Sequence, residues 1–344
     1  MKRLDTKYIS HQLAHRSGAV FAIDLGGTNI RAALVDDEGN IRFRFKGTTG
    51  RSASQDGILR TIVEALRSSE EGSNGLRASA LSVGVPGTVN IEKGIVVTAP
   101  NLPSLNGFHL AAALEREIKI PVLLENDANA AVVGEAWQGA ARGCHFIVCA
   151  TLGTGVGGGI ILDDRLLRGA NGSAAEIGHM AVDPFTGVAC SCGGRGCLEV
   201  YASAPAVVRM TRERLPRYPN SPLHQVEDLT AERIYCAGVR GDELSLEIFR
   251  QLGIYLGIGL ASLINILNPD IIVLAGGLVN AWDLFENHMR QEIAERGFPS
   301  VAAQVPIVQA ELGDDAGLIG AARLAFTLFE TAATQAASLQ FERH

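Results

Sequence analysis

No stretch of the 344-residue chain strings together the roughly eighteen apolar residues that a membrane-spanning helix needs. The start, MKRLDTKYISHQLAHRSG (1–18), mixes charges and lacks the apolar run of about seven residues that marks a secretory leader. The chain is therefore expected in the cytoplasm, where thiols stay reduced and structural disulfides are rare. Lys and Arg nowhere cluster, and a net charge of −7 with a pI near 5.7 argues against nucleic acid or an anionic membrane as the main partner. No G-x-x-x-x-G-K-[ST] occurs, which excludes a P-loop. A small molecule is the partner these absences leave.

What is present is apolar and rich in glycine. Hydrophobic residues make up 47% and charged residues 19%, so there is ample surface to bury, and 39 glycines point to tight turns or close backbone approaches. The length exceeds what one hydrophobic core usually serves, so two domains are expected.

The order of elements reads as a layered α/β chain. AVFAIDLGGTNIRAALVDDEGNI (19–41) is a strand, a Gly-Gly turn, a second strand and a polar turn, and RFRFKGTTG continues as a third strand. A helix is expected at about 54–69, with Ile58, Ile62, Ala65 and Leu66 at helical spacing, and ALSVGVPGTVN (80–90) as a returning strand. A helix at about 108–118 leads into PVLLENDANAAVVGEAW, an apolar strand running into an Ala-rich helix. From 145, HFIVCATLGTGVGGGIILDDRLLRG repeats the opening in outline, a weak internal duplication. RERLPRYPNSPLHQVEDL (212–229) reads as an exposed excursion. A long helix at about 243–267, a strand DIIVLAGGLVN (270–280), another helix, a strand QVPIVQAEL and a closing helix from about 314 complete the chain.

Two glycine turns carry chemistry. DLGGTN presents Asp24, Gly26, Gly27, Thr28 and Asn29 on a tight turn whose N–H groups and hydroxyl can surround phosphate oxygens. LGTGVGGG offers the same through Gly153, Thr154 and Gly155. Either alone could be an ordinary hairpin. Together with Asp24, whose carboxylate could bind hydrated Mg²⁺, they suggest a nucleotide gripped between two halves. Gly153, Gly155 and Gly158 also satisfy G-x-G-x-x-G, but the dinucleotide fingerprint needs a helix there, and GGIILDDRLL continues as a hairpin.

The segment GHMAVDPFTGVACSCGGRGC gathers Cys190, Cys192 and Cys197 with His179. Disulfides, a metal site and a chance cluster of small residues are the competing readings. Reduced thiols favour metal, and a three-sulfur, one-nitrogen set suits the closed tetrahedral sites of structural Zn²⁺. Gly193, Gly194 and Gly196 would let a short chain turn three side chains onto one ion. Cys144, Cys149 and Cys236 lack such spacing and read as small buried residues.

DLGGTN, ENDANAAVVGE, TLGTGVGGGII, EIGHM and CSCGGRGCLEVYAS, in this order, resemble the ROK family of sugar kinases and sugar-responsive repressors, and its bacterial glucokinases above all, over about residues 19–330. The resemblance implies an α/β, two-domain, actin-like/hexokinase-like (ribonuclease H-like) fold with a ligand cleft between the domains. It implies a small domain over 1–125 joined by a C-terminal helix at about 313–335, and a large domain over 126–312 that carries the zinc loop. The implied activity is ATP-dependent phosphorylation of a hexose, with ATP, Mg²⁺ and structural Zn²⁺. A homodimer or homotetramer is expected, with no nucleic acid and no membrane as partner.

Carried over position by position, Asp127 matches the general base, and Asn101, Asn126, Asp127, Glu176, His179 and Glu199 match sugar-contacting positions. Carboxylate, amide and imidazole groups suit a polyol, whose hydroxyls both donate and accept. The two glycine turns, with Gly276 and Gly277, match the nucleotide site. His179 belongs to both the sugar and the zinc sets, so one ring nitrogen would hold metal and the other face the sugar. After PNLP this chain has SLNG (104–107) where many members carry an aromatic, which leaves glucose, N-acetylmannosamine, N-acetylglucosamine and fructose open as substrates. A repressor would need a winged-helix region before Asp24, for which about 23 residues are too few.

Overall fold

The computed structural model describes residues 18–49, 54–73 and 75–341. The reading of residues 1–17 as no secretory leader lies outside the described residues. Contacts divide the chain into two units. The first takes the described residues up to Gly143, the segment Arg168–Ala174 and the described residues from Asp314; the second takes Cys144–Leu167 and Ala175–Gly313.

In the first unit, β1 (Ala19–Leu25), β2 (Asn29–Val35), β3 (Ile41–Thr48), β4 (Ala78–Val85) and β7 (Val122–Asn126) form one sheet in the order β3-β2-β1-β4-β7. β1 runs antiparallel to β2 and parallel to β4, and β4 is parallel to β7. β5 (Thr88–Asn90) and β6 (Ile95–Thr98) make a separate small hairpin. The near-continuous apolar run of β1 follows from burial on both faces. Phe21 and Ile23 pack with Ile58 and Ile62 of α1 (Gln55–Gly72) and Leu110 and Leu114 of α2 (Leu110–Ile118). Val20 and Ala22 pack with Ala130 of α3 (Asp127–Gln138) and with Leu318, Ala322 and Ala325 of α10 (Ala316–Phe341). Strand alternation puts Asp24 on this second face.

The first unit runs on to Gly143 and so takes in α3, which packs against the closing helix. A Cβ on Gly134 would overlap the Ala316 carbonyl, and one on Gly320 the Ala130 carbonyl, so only glycine permits this approach of α3 and α10. The closing helix itself begins at Ala316 and extends past the expected 335.

In the second unit, β8 (Ile147–Leu152), β9 (Val156–Leu162), β10 (Arg165–Leu166), β11 (Ile271–Ala275) and β12 (Ile307–Gln309) follow the order β10-β9-β8-β11-β12. β8 is antiparallel to β9 and parallel to β11, which is parallel to β12. Both sheets thus have one topology, which gives the weak sequence duplication a structural meaning. The helices are α4 (Glu199–Ala202), α5 (Ala204–Arg214), α6 (Ala231–Val239), α7 (Glu243–Leu267), α8 (Trp282–Arg296) and α9 (Pro299–Ala302). By length and composition α7 could cross a membrane, but its Ile248, Phe249, Leu252, Leu256 and Leu260 are fully buried in the core of this unit.

Two expected strands are shorter than their apolar runs. ALSVGVPGTVN breaks at Pro86–Gly87, where Gly87 has φ +144 and a Cβ would overlap the Thr98 carbonyl. DIIVLAGGLVN ends at Ala275, since Gly276 at φ +90 turns the chain into a 3-10 helix over Gly277–Ala281. Of the cysteines expected to be buried, Cys149 is, whereas Cys144 is half-buried and Cys236 exposed on α6.

Candidate active site

The first glycine turn joins β1 to β2. The Gly26 N–H donates to the Asn29 carbonyl at 2.8 Å, and Thr49 Oγ1 donates to the Gly26 carbonyl at 2.7 Å. A Cβ on Gly27 would stand 2.8 Å from Cβ of Asn101, so the turn rests directly on a candidate sugar residue. Thr28 accepts the Thr49 N–H through its carbonyl, and its side chain and that of Asn29 are exposed. At the end of β1, Asp24 lies 3.4 Å from Arg31 Nη1, whose Nη2 reaches Asp314 at 3.1 Å. Burial pushes the Asp24 carboxyl above its ordinary value, Arg31 opposes the rise, and Asp314 adds to it. Arg31 and Asp314 escaped the sequence reading because the pairing joins the second strand to the start of the closing helix.

β7 runs without a loop into α3, and this junction holds Asn126 and Asp127. Asn126 is the N-cap: its Oδ1 accepts the Asn129 N–H at 3.0 Å, and its Nδ2 donates to the Gly87 carbonyl at 3.0 Å. Asp127 is the first residue of the helix, its Oδ1 accepting the Ala128 N–H at 2.9 Å. Its carboxylate sits at the positive end of the helix dipole. Just before it, Glu125 is 3% exposed and pairs with Arg168 at 2.8 Å. Neither residue stood out in the sequence.

The second glycine turn joins β8 to β9, and the chain continues as strand from Val156, so no dinucleotide-type helix follows. Gly153 donates to the Gly155 carbonyl at 2.9 Å, and the Ala204 N–H donates to the Gly153 carbonyl at 2.8 Å, which brings the N-terminus of α5 to the turn. Ser203 caps α5 by accepting the Ala206 N–H at 3.3 Å. A mostly apolar groove of about 520 Å³, lined by Thr154, Ala204, Pro205, Val208, Leu229 and Ala231 among others, opens beside the turn. A Cβ on Gly276 would overlap the Leu152 carbonyl, whereas Gly153 and Gly277 face open space. The groove was not legible, since it needs α5 and the loop before α6 side by side.

Glu199 opens α4, and its Oε2 accepts the Val156 N–H at 3.0 Å. A Cβ on Gly155 would stand 2.5 Å from that oxygen. Gly155 is thus glycine to accommodate a carboxylate, a reason distinct from the expected approach of phosphate.

His179 ends a 3-10 turn (Ile177–His179) preceded by the exposed Glu176. Backbone bonds from Val182 to the Gly196 carbonyl at 2.8 Å and from Leu198 to the Met180 carbonyl at 2.9 Å fold the cysteine loop back on this turn. One nitrogen or sulfur atom from each of His179, Cys190, Cys192 and Cys197 lies within 4.8 Å of all the others. The Cys190 Sγ–His179 Nδ1 and Cys192 Sγ–Cys197 Sγ separations are both 3.7 Å. Zn–S bonds of about 2.3 Å and a Zn–N bond of about 2.0 Å in a tetrahedron require edges of about 3.5–3.8 Å, so the set fits zinc. Gly193 and Gly196 have φ of +91 and +68, and Gly194 has no positive φ but lies near two of the sulfurs. Burial and the neighbouring cysteines push the Cys197 thiol up to about 12, while the Gly194 N–H lowers Cys192.

A profile of the ROK family matches residues 20–327. The chain is 36% identical to a glucokinase of Thermotoga maritima over 309 residues, 89% of this chain and 96% of that one. Among solved structures it is similar to a ROK family glucokinase from Streptomyces griseus in complex with glucose and AMPPNP, at 35% identity and a TM-score of 0.77, covering 89% of this chain and 99% of that one. It is also similar to a ROK family transcriptional regulator homologous to the E. coli MLC protein, at 28% identity and a TM-score of 0.84, covering 93% of this chain and 80% of that one. The fold is accordingly the actin-like/hexokinase-like one of these proteins, and the chain belongs to the ROK family.

Proposed function

We propose that the protein is an ATP-dependent glucokinase, which phosphorylates the 6-hydroxyl of glucose with Asp127 as general base. The single observation that carries this reading is the β7–α3 junction, where Asn126 caps the helix and Asp127 stands at its first position. The identity of 36% with the Thermotoga maritima glucokinase favours glucose, and the more distant regulator shares the fold.

In the reaction, a carboxylate oxygen of Asp127 takes the proton of the sugar 6-hydroxyl as the hydroxyl oxygen bonds to the γ-phosphorus of ATP. The bond from phosphorus to the β–γ bridging oxygen breaks, and ADP leaves with the electron pair. Such base assistance typically contributes about 10²–10⁴-fold, and positioning and charge stabilisation supply the rest. Asn101, Asn126, Glu176, His179 and Glu199 contact the sugar. The turns at Asp24–Asn29 and Gly153–Gly155, with Gly276 and Gly277, take the phosphates, and the apolar groove beside Thr154 takes the adenine. Mg²⁺ near Asp24 would offset phosphate charge. Zn²⁺ held by Cys190, Cys192, Cys197 and His179 Nδ1 would fix the ring of His179 and leave Nε2 toward the sugar.

A coupled ADP-release assay over a panel of hexoses and phosphoryl donors tests the proposal. Glucose with ATP should give a higher kcat/KM than N-acetylmannosamine, N-acetylglucosamine or fructose. Preference for an N-acetylhexosamine would overturn the glucose assignment, and no turnover with any hexose would overturn the kinase.

A further inference from the structure

We propose that Arg168 is a positioning residue for the Asp127 base and acts on it through Glu125. The inference rests on the reading of Asp127 as base, and goes beyond it by naming what holds that base still.

The Glu125 carboxylate is 3% exposed and stands at the end of β7, two residues before Asp127. Its two oxygens have divided tasks. Oε1 accepts the Asn126 N–H at 3.1 Å and an Nδ2 hydrogen of Asn129 at 3.0 Å. Asn126 ends the strand and Asn129 lies on the first turn of α3, so this oxygen ties together the chain on either side of Asp127. Oε2 accepts from Nε and Nη2 of Arg168, each at 2.8 Å. A carboxylate withdrawn from water is costly unless its oxygens are hydrogen-bonded, and the Arg168 fork occupies Oε2 while Oε1 takes the two asparagine bonds.

The surrounding backbone leaves the junction little slack. Glu125 and Asn126 pair with Gly84 and Val85 of β4, and a Cβ on Gly84 would lie 3.7 Å from Cα of Asp127. Asp127 lies within the short arc from Glu125 to Asn129, which Oε1 of Glu125 spans.

Arg168 reaches Glu125 from a segment distant in sequence. Arg168–Ala174 comes soon after β10 of the second sheet in the chain, yet it belongs to the first unit. The Ala174 N–H donates to the Arg168 carbonyl at 3.1 Å and closes the segment into a loop, and a Cβ on Gly172 would meet the Val89 carbonyl at 3.0 Å. Ala175, at φ +64, is a non-glycine residue in left-handed conformation immediately after this loop. The loop is thus closed on itself and passes beside Val89 of β5, and from it Arg168 reaches Glu125.

The test is a double-mutant cycle on the full chain between Arg168→Met and Asp127→Asn, read as kcat and KM with saturating Mg-ATP. Alone, Arg168→Met should lower kcat by about tenfold or more, with the KM for ATP little changed, because a misplacement of the order of 1 Å at a reacting group costs about that much or more. In the Asp127→Asn background, where no base remains to be positioned, the same change should alter kcat less than about twofold. Arg168→Lys, which keeps the charge without the fork, should lie between Met and wild type. Arg168→Met leaves the Glu125 charge without its partner, so its Tm should fall. Glu125→Gln with Arg168→Met should regain part of that Tm while kcat stays low. Equal losses of kcat in both backgrounds, recovery of kcat together with Tm, or a kcat of Arg168→Met within twofold of wild type would each overturn the inference. Near-normal turnover of Asp127→Asn by itself would instead refute the base on which it rests.

Discussion

Gly155 and Glu199 belong together: a Cβ on Gly155 would approach Oε2 of Glu199 to 2.5 Å. The same oxygen accepts the Val156 N–H, so a candidate sugar residue and a candidate phosphate turn share one polar contact. In the first unit, Gly27 stands against the Cβ and backbone carbonyl of Asn101.

Gly155→Ala should therefore act on sugar. The clashing atom is the end of a flexible side chain, so Glu199 moves and the fold survives. Loss of one charge-assisted hydrogen bond to a sugar hydroxyl, worth about 1.5–3 kcal/mol, predicts a sugar KM raised by about ten- to a hundredfold with a small change in Tm. Gly153→Ala adds a methyl in open space facing the proposed phosphate position and should raise the KM for ATP instead. Steady-state kinetics with each substrate varied separates the two, and the reverse pattern would reassign the turn.

Asp127→Asn preserves shape and removes basicity. Its kcat should fall by at least about 10²-fold while glucose still binds in calorimetry, and turnover near the wild-type rate would refute the role.

Asp24 offers a pH signature. Its folded-state pKa is raised by burial, so the folded protein holds that proton more tightly than the unfolded chain. The group's contribution to stability should then be complete below the ordinary carboxylate value of 3.8 and decline as pH rises through the raised value. Asp24→Asn should flatten this part of a Tm-against-pH curve and leave Tm at pH 7 unchanged or higher, while the Mg-ATP requirement rises. A fall in Tm at pH 7 would show that the Arg31 contact outweighs the burial cost.

If Cys190, Cys192, Cys197 and His179 hold zinc, elemental analysis of protein purified without added metal should find about one zinc per chain, and Cys192→Ser should lower it sharply. The sugar KM should rise more than Tm falls, since a loop on a large domain returns only part of the roughly 10 kcal/mol seen when metal folds an isolated zinc finger. Fully active enzyme free of zinc would defeat the site.

Periodicity and turn chemistry made much of the fold legible. AVFAIDL reads as a strand because both faces are covered, and the expected long helix at about 243–267 coincides with α7. The signal misled where an apolar run continued through a glycine that turns the chain, at Gly87 and Gly276, because hydrophobicity reports burial and says nothing of φ.

The order of motifs by itself determined the family, the repeated strand–turn–strand opening and the cysteine set, because each depends on residues close in the chain whose types restrict their local chemistry. Only the tertiary structure decided that α3 belongs with the closing helix through Gly134 and Gly320, that Gly155 makes room for Glu199, that Arg31 reaches Asp314 and that Arg168 meets Glu125. These pairs come from segments far apart in sequence, and an arginine in a loop or a glycine in a helix has no local feature that names its partner. What brings them together is the packing of helices and loops on the sheet of each unit, whose free energy is spread over many apolar residues and is specific to none of the polar pairs it positions.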